Sequence, residues 1–208
     1  MRLKQDGLLL VVSGPAGVGK GTIDTALIAR HPEIKMSVSA TTRKPRTGET
    51  DGVHYFFKTP EAFRQMIEQN AFLEYMHVFG MHYYGTPRAY VEAERKKGNH
   101  VILEIDVQGA RKVKEACPDA VLIFIAPPSM ETLHARLIGR GTESDEAIRI
   151  RTQTAFSEMQ QIPFYDYVVV NDLVEDAVRQ MEAIIDAELC ATARNQEQIL
   201  TLIGGNTL

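Results

Sequence analysis

The sequence predicts an α/β fold in which helices cover both faces of a parallel sheet. Short runs rich in Val, Ile and Leu recur along the 208-residue chain, and segments of helical length lie between them. Apolar runs of this kind are typical of strands buried on both faces, as parallel strands usually are. The regular alternation of such strands with helices is the pattern of a doubly wound core.

The core strands are expected at the apolar runs, and the helices between or after them. The predicted strands are residues 8–13, 100–106, 120–126 and 165–170. The predicted helices are residues 20–31, 87–97, 107–116, 129–138, 146–161 and 173–193. The last helix has an apolar stripe, because Val174, Val178 and Met181 recur at spacings of four and three. Asp172, just before this helix, is its expected N-cap.

One segment interrupts the alternation, and we expect it to form an inserted mixed α/β subdomain over about residues 37–87. It begins with a stretch rich in Thr, Arg, Pro and Gly and continues with aromatic strand candidates at 55–57 and 72–78. A helix over 60–69, with Thr59 as its N-cap, is predicted between these two candidates.

A charged segment later in the chain, about residues 139–155, is predicted to form a small helical lid. The chain is then expected to be a single domain whose core comprises about residues 1–36 and 88–208. The C-terminal segment 191–208 is expected to be frayed or weakly helical.

Composition argues against several classes of partner. Lys and Arg number 23 against 27 Asp and Glu, and the net charge of −4 argues against a nucleic-acid-binding or basic membrane-binding surface. The first sixty residues nevertheless carry nine basic and five acidic side chains, which suggests an anion site there. Cys117 and Cys190 lack metal-ligand spacing and are expected to be reduced thiols, which favours a cytoplasmic protein. The apolar run 8–12 is too short for a secretory leader or a membrane span.

The most specific motif follows the first predicted strand and has the spacing G-x4-G-K. It comprises Gly14, Pro15, Ala16, Gly17, Val18, Gly19, Lys20, Gly21 and Thr22. In this pattern backbone N–H groups cradle phosphate oxygens, the following helix adds the positive end of its dipole, and the Lys adds a full charge. The alternative is a glycine-rich turn without a ligand. The spacing, the Lys and the strand–helix context together favour a nucleoside triphosphate site.

Magnesium is the expected partner of the triphosphate, but the sequence names no direct protein ligand for it. The strict motif has Ser or Thr directly after the Lys, whereas Gly21 stands here and Thr22 follows. Thr22 and Asp106 are candidates that would act through water. Glu104 and Asp106 end an apolar strand, where ligands bind in parallel sheets. The alternative for Asp106 is simple capping of the next helix.

The inserted subdomain carries side chains suited to the phosphate of a nucleoside monophosphate. Arg43 and Arg46 are planar cations that pair with phosphate oxygens two at a time. Tyr55 and Tyr84 can add hydroxyl donors. The alternative for the two arginines is a solvated loop.

The same subdomain carries side chains suited to a guanine base. Guanine presents two adjacent donors, which the carboxylate of Glu74 can accept, and an acceptor O6, which the hydroxyl of Ser39 or Thr86 can reach. Adenine has the reverse polarity at both positions and would leave Glu74 unpaired. The alternative for Glu74 is a solvated strand carboxylate.

Other phosphoryl-transfer proteins fit less well. Residues 106–109 match the D-x-x-G pattern of GTPases, but the sequence lacks the N-K-x-D that reads guanine in them. Motor ATPases need long partner-binding regions, for which 208 residues leave little room.

Eight collinear blocks closely resemble the guanylate kinase family. They are SGPAGVGKGT (13–22), SVSATTRKPRTGETDGVHYFF (37–57), FLEY (72–75), YYGTP (83–87), ILEIDVQGA (102–110), FIAPPS (124–129), RLIGRGTES (136–144) and VVVND (168–172). The resemblance implies a core, a GMP-binding subdomain and a lid, and a reaction in which MgATP and GMP give ADP and GDP. It implies dGMP as a further substrate.

The resemblance also implies roles for individual residues. On the GMP side these are Ser39, Arg43, Arg46, Tyr55, Glu74, Tyr84 and Thr86, with Glu104 and Asp106 near the reacting phosphates. On the ATP side they are the loop residues 14–22 together with Arg136 and Asn171. The residues expected to act on the transferring group are Lys20, Arg43, Arg140 and Arg151. Ala16 replaces the usual loop Ser, which a cradle of backbone groups should tolerate.

Two alternatives remain at this point, and the oligomeric state, monomer or homodimer, is open. Guanylate-kinase-like domains also serve as non-catalytic protein-binding modules, but those tend to lose the loop Lys or the lid arginines, whereas Lys20, Arg140 and Arg151 are present here. A kinase specific for AMP or UMP would have no use for Glu74.

Overall fold

The computed structural model describes residues 6–78, 81–139, 145–202 and 204. Its strands, in chain order, are β1 (Leu9–Ser13), β2 (Ile34–Met36), β3 (Ala40–Thr41), β4 (Phe56–Phe57), β5 (Phe72–Val78), β6 (His82–Pro87), β7 (His100–Glu104), β8 (Val121–Ala126) and β9 (Tyr167–Val170). Its helices are α1 (Lys20–Arg30), α2 (Pro60–Glu68), α3 (Arg88–Lys96), α4 (Val107–Ala116), α5 (Met130–Gly139), α6 (Asp145–Met159), α7 (Val174–Cys190) and α8 (Gln196–Leu202). None of the helices in these ranges is both long and apolar enough to cross a membrane.

A parallel sheet with the strand order β2-β7-β1-β8-β9 forms the core. Alternate residues of β1 face opposite sides, because successive side chains of a strand point to opposite faces. Leu10 and Val12 pack in an apolar cluster with residues of α1 and α7, whereas Leu9 and Val11 pack in a second cluster with residues of α3 and α4. The predicted α/β class, with helices on both faces of a parallel sheet, is confirmed.

A second, mixed sheet with the order β4-β3-β6-β5 is built from the segment that interrupts the alternation. Helix α2 covers it through Phe63, whose ring is fully buried and stacks on Phe72 at 4.4 Å and on Tyr83 at 5.3 Å between ring centroids. The predicted cap of α2 is confirmed, since Thr59 Oγ1 accepts a hydrogen bond from Ala62 N at 3.2 Å.

The structure corrects the local predictions in two places. Strands β2, β3 and β6 were not predicted, since β2 and β3 are too short to show a pattern and β6 contains Gly and Pro. The prediction that Asp172 caps α7 is wrong, because Leu173 is the N-cap and makes no side-chain capping bond. The C-terminal segment contains α8, which follows Asn195, a buried residue whose side chain donates to the carbonyl oxygens of Leu189 and Ala191.

Candidate active site

The phosphate loop joins β1 to α1, and three of its glycines have backbone conformations that favour glycine. Gly14, Gly17 and Gly19 have φ of 146°, 85° and 98°, where side chains are disfavoured. A Cβ on Gly14 would lie 2.2 Å from the carbonyl oxygen of Ile125, and one on Gly19 would lie 2.5 Å from Asn171 Nδ2. The loop backbone is therefore packed too closely against the ends of β8 and β9 for larger residues.

Lys20 is the first residue of α1, and its ammonium group folds back over the loop. Nζ donates hydrogen bonds to the carbonyl oxygens of Gly14 at 2.6 Å and Pro15 at 3.2 Å. The loop amides, the helix N-terminus and this ammonium group place positive potential at one point at the end of the core sheet. Such an arrangement suits phosphate oxygens.

Asn171 and Arg136, both predicted to contact ATP, are hydrogen-bonded to the phosphate loop or to each other. Asn171 Nδ2 donates to the Val18 carbonyl oxygen at 2.8 Å, and Arg136 Nη1 donates to the Asn171 carbonyl oxygen at 2.9 Å. Asn171 is buried, and its Oδ1 has no hydrogen-bond partner within the described residues. The structure thus brings these two residues to the loop and leaves one buried acceptor oxygen without a partner among the described residues.

Asp24 lies one helical turn after Lys20 and was missed by the sequence reasoning. Asp24 is 2% exposed, and neither of its carboxylate oxygens has a hydrogen-bond partner in the described structure. Burial, reinforced by the nearby Glu104 and opposed by Lys20, raises the pKa of Asp24 to about 7. The available signal was an Asp placed between Ile23 and Leu27 on the apolar face of α1.

Glu104 is the last residue of β7, and Asp106 lies two residues later, at the start of α4. Asp106 Oδ1 accepts from Gln108 N at 2.9 Å and Gly109 N at 2.8 Å, so this residue does cap α4. A Cβ on Gly21 would lie 3.7 Å from Glu104 Oε2, which places the Glu104 carboxylate over the first turn of α1. Asp106 Oδ2 takes no part in the cap and can face a ligand.

The donor set at this point fits a magnesium ion that keeps most of its own water. Glu104, Asp106 and the exposed Thr22 offer hard oxygen donors, which Mg²⁺ prefers. In the described ranges, no three His, Cys, Asp or Glu side chains come together to hold a metal. The residues therefore suit an ion held mainly by nucleotide and water.

A cavity of about 200 Å³ separates the inserted sheet from the end of β7. It is lined by Ser39, Tyr55, Glu74, Met76, Tyr84, Gly85, Glu104, Ile105 and Asp106. Six of the nine residues predicted on the GMP side line this cavity together. Thr86 reaches it through Glu74, since Thr86 Oγ1 donates to Glu74 Oε1 at 2.8 Å. Burial raises the pKa of Glu74, and the Thr86 hydrogen bond acts in the opposite direction.

Arg43 lies beside this cavity and is held by a carboxylate that the sequence reasoning did not single out. Its guanidinium pairs with both oxygens of Glu49 at 2.8 and 2.9 Å, and its Cζ lies 5.4 Å from the Tyr55 ring centroid. The hydrogen bonds that Arg43 donates to Glu49 are the main cause of its raised pKa, with a smaller contribution from Tyr84. Arg46 is exposed, and its backbone N–H donates to Glu49.

Helix α6, in the segment predicted to be a lid, lies opposite the start of α4. A cavity of about 450 Å³ lies between the start of α4 and the second half of α6, and Glu158 lines it. Burial raises the pKa of Glu158, with Lys20 and Asp106 near enough to act on it. Arg151 is exposed on α6, and Arg140 lies outside the described residues.

A larger, apolar cavity of about 590 Å³ lies between α5 and α6. Ile138, Ile148 and Phe156 line it, and none of the predicted site residues does. The charged and polar residues of the candidate site lie instead around Lys20 and Glu104.

Comparison with known proteins confirms the resemblance read from the sequence. The family model described as guanylate kinase matches residues 7–188. Guanylate kinase of Caldanaerobacter subterraneus subsp. tengcongensis is 52% identical over 202 residues, covering 97% of this chain and 98% of the relative. Guanylate kinase of Clostridium perfringens is 53% identical over 194 residues, covering 93% of this chain and 89% of the relative.

A solved structure extends the similarity to the whole fold. The crystal structure of guanylate kinase from Anaplasma phagocytophilum has a TM-score of 0.74 at 33% identity, covering 99% of this chain and 100% of that one. The chain belongs to the guanylate kinase family, the enzymes that phosphorylate GMP to GDP with ATP as the donor.

Proposed function

We propose that this chain transfers the γ-phosphoryl group of MgATP directly to the phosphate of GMP, and of dGMP, by in-line displacement. The reaction serves purine nucleotide metabolism. We place it in the cytoplasm, since Cys117 and Cys190 are both free thiols, which fits a reducing compartment. In this proposal residues 37–87 form the GMP-binding subdomain and residues 139–155 the lid.

The observation that carries the proposal is the position of Glu104 between two anion-binding sites. Its strand pairs in register with β1 at Val12, two residues before the phosphate loop begins. Its carboxylate lies beside Gly21 on one side and lines the cavity of the inserted sheet on the other. A triphosphate on the loop and a monophosphate in the cavity would therefore present their phosphates to each other at this residue.

On the donor side, the loop N–H groups and Lys20 would hold the β- and γ-phosphates. Asn171 would receive the adenine, because its buried and unpartnered Oδ1 can accept from an exocyclic amine. Arg136 would keep Asn171 and the loop in register through the backbone carbonyls that it already holds.

On the acceptor side, Glu74 would accept both donors of the guanine edge, and Ser39 would donate to O6. The phosphate would be met by the cations and hydroxyls that surround the cavity, namely Arg43, Arg46, Tyr55 and Tyr84. Adenine would place an acceptor opposite the buried Glu74 carboxylate, which would then have no donor to pair with. Leaving a buried carboxylate unpaired is costly, so the site would discriminate strongly against adenine.

Mg²⁺ would arrive with ATP and be held by its phosphates and by water, with Glu104, Asp106 and Thr22 as the protein groups that bind that water. When bound, it neutralises charge on the β- and γ-phosphates. The protein's own contribution is to place these carboxylates and the hydroxyl around the ion.

The acceptor needs no strong general base. The second pKa of a phosphate monoester is about 6, so the GMP phosphate is already an oxyanion at neutral pH. The task of the protein is to bring two polyanions into line and to neutralise the charge between them. Lys20 and Arg43 would do so from the loop and the subdomain, and Arg140 and Arg151 from the lid. Closure of the lid would also exclude water, so that ATP is not hydrolysed.

The test of direct transfer is its stereochemical course. The substrate is ATP with an isotopically chiral thiophosphoryl group at the γ-position, and GMP is the acceptor. We expect inverted configuration at phosphorus in the product, because a single in-line displacement inverts it. Retention would indicate a phosphorylated enzyme and would contradict the proposal. With dGMP we expect kcat/KM within about tenfold of that with GMP, since one hydroxyl contact contributes about 1 kcal/mol.

A further inference from the structure

Glu49 joins the two arginines to which phosphate binding is assigned above. Its Oε1 accepts a hydrogen bond from Arg43 Nη2 at 2.8 Å. Its Oε2 accepts from Arg43 Nη1 at 2.9 Å and from the backbone N–H of Arg46 at 2.7 Å. The Arg43 and Glu49 side chains are only 13% and 18% exposed, so salt screens this pair less than a surface pair.

The backbone of residues 46–49 is shaped to bring the carboxylate to this point. Glu49 N donates to the Arg46 carbonyl oxygen at 3.0 Å and closes a turn. Gly48 has φ of 87°, as the third residue of a type II turn requires, and no atom lies within 4 Å of where its Cβ would be. Gly48 is therefore present for its conformation and not for packing, and the turn directs Glu49 back onto Arg43.

The contact with Glu49 leaves one edge of Arg43 outside the ion pair, and Tyr84, itself assigned to the phosphate above, also interacts with the guanidinium. A guanidinium has five N–H groups. Both groups on Nη1 are engaged, one by Glu49 and one by the Lys44 carbonyl oxygen at 2.8 Å, and Glu49 engages one group on Nη2. The other two, on Nε and Nη2, project in parallel from a single edge, which is the geometry that binds two phosphate oxygens.

We propose that Glu49 is a positioning residue for the acceptor phosphate: its carboxylate fixes the plane of the Arg43 guanidinium and the backbone of Arg46, so that both cations meet the phosphate. The inference rests on the proposed function and adds a residue that does not itself touch the substrate. Glu49 takes the end edge of Arg43 and leaves the side edge to the phosphate, so the two anions do not compete.

The surroundings of Glu49 keep its side chain in the ionised form. The hydrogen bond from Arg43, followed by the one from the Arg46 backbone, lowers the pKa of Glu49 to about 2. Glu49 is therefore ionised throughout the pH range in which the enzyme would work, and it orients Arg43 without removing the positive charge of the guanidinium.

The test compares the full-length wild-type chain with Glu49→Gln, which keeps the side-chain size but removes the charge and one acceptor oxygen. The readouts are the Kd of GMP by equilibrium titration, the KM of each substrate and the thermal unfolding midpoint. We expect the Kd and KM of GMP to rise about tenfold or more, because the loss of a hydrogen bond to a charged group weakens an interaction by about that factor. The KM of ATP should stay within about twofold, and Glu49→Asp, which keeps the charge, should recover part of the GMP affinity.

A double-mutant cycle separates positioning from a general effect on the fold. In an Arg43→Ala background, Glu49→Gln should raise the Kd of GMP by clearly less than it does in the wild-type chain, because only the contact with the Arg46 backbone is left to lose. An equal rise in both backgrounds would contradict positioning through Arg43. Glu68→Gln, an equivalent change at an exposed carboxylate on α2, is the matched control and should leave both KM values unchanged.

Three outcomes would overturn the positioning role. An unchanged Kd of GMP in Glu49→Gln would show that the carboxylate does not contribute to GMP binding. A lower Kd would show that the carboxylate competes with the phosphate for Arg43. Equal rises in both KM values together with a lowered unfolding midpoint would show a purely structural role. A wild-type chain that does not phosphorylate GMP would refute the proposed function instead, so the two failures are distinguishable.

Discussion

Thr86 Oγ1 donates a 2.8 Å hydrogen bond to Oε1 of Glu74, which lines the cavity beside the inserted sheet, and both side chains are buried. A hydroxyl has one proton to donate, and here Glu74 receives it. In the proposed function Ser39 would therefore be left to donate to guanine O6, and Thr86 would orient the carboxylate proposed to accept the two donors of the base. The sequence alone left Ser39 and Thr86 as equal candidates for O6.

Thr86→Val tests this assignment, because valine matches the shape of threonine and removes the hydroxyl. The Glu74 carboxylate would then be buried without its partner, and we expect kcat/KM for GMP to fall by about tenfold or more. Thr86→Ser keeps the hydroxyl and should stay within about threefold of wild type. Steady-state kinetics with GMP as the varied substrate gives both values. A Thr86→Val enzyme as active as Thr86→Ser would refute the orienting role.

Arg151→Ala tests whether the segment proposed as a lid contributes to the chemical step. A cation that reaches the transferring group only in the transition state contributes about 10³–10⁵ in rate, so kcat should fall by at least about 10³. The Kd of ATP should change by only a few-fold. Arg149→Ala is the matched control, because Arg149 is exposed on the same helix and pairs with Glu146 at 2.8 Å. Equal losses in the two variants would argue against a specific role for Arg151.

Gly14→Ala tests the packing of the phosphate loop. The new methyl group would meet the Ile125 carbonyl oxygen at 2.2 Å, at a φ of 146° that alanine rarely adopts. We expect the free energy of unfolding to fall by about 2–4 kcal/mol, measured by urea denaturation, with loss of ATP binding. Gly48→Ala also has positive φ but open space around it, and should cost only about 1 kcal/mol. Equal costs at the two glycines would contradict this description of the loop.

Because Asp24 is buried, we expect the free energy of unfolding to depend on pH, and we expect Asp24→Asn to remove this dependence. Burial raises its pKa from 3.8 to about 7, so the folded state holds a proton that the unfolded state releases. The stability from this group is fully present below about pH 4 and is lost as the pH rises to about 7. The free energy of unfolding of Asp24→Asn relative to wild type should therefore increase by about 2–4 kcal/mol between pH 4 and pH 8. A difference that is constant over this range would show that Asp24 is ionised throughout.

The core and the phosphate loop could be predicted from the sequence because both depend on local pattern. Buried parallel strands appear as continuous apolar runs, and the loop appears as glycines at fixed spacing before a Lys. Strands β2 and β3 escaped prediction because runs of three and two residues show no periodicity and are fixed by their partners in the sheet. The cap of α7 was misassigned because Asp172 is a favourable capping type, yet the chain enters the helix one residue later.

Within the candidate site, residue types could be proposed from the sequence, but the hydrogen bonds between them could not. Arg43, Glu74 and Thr86 could be named from their chemistry, whereas the bond from Thr86 to Glu74 depends on two strands that the sequence does not place side by side. Glu49 lies six residues after Arg43 in a loop without regular structure, so no pattern marks it as a partner. The burial of Asp24 depends on how α1 packs on the core sheet.

The most direct test of guanine-specific phosphoryl transfer measures ADP release in a coupled assay with ATP and, in turn, GMP, AMP, UMP and IMP, for the wild-type chain and Glu74→Gln. We predict that wild type prefers GMP to AMP by about 10²-fold or more in kcat/KM, and that Glu74→Gln loses most of this preference. Release of ADP with AMP as fast as with GMP in the wild-type enzyme would contradict the role of Glu74 as the reader of the base.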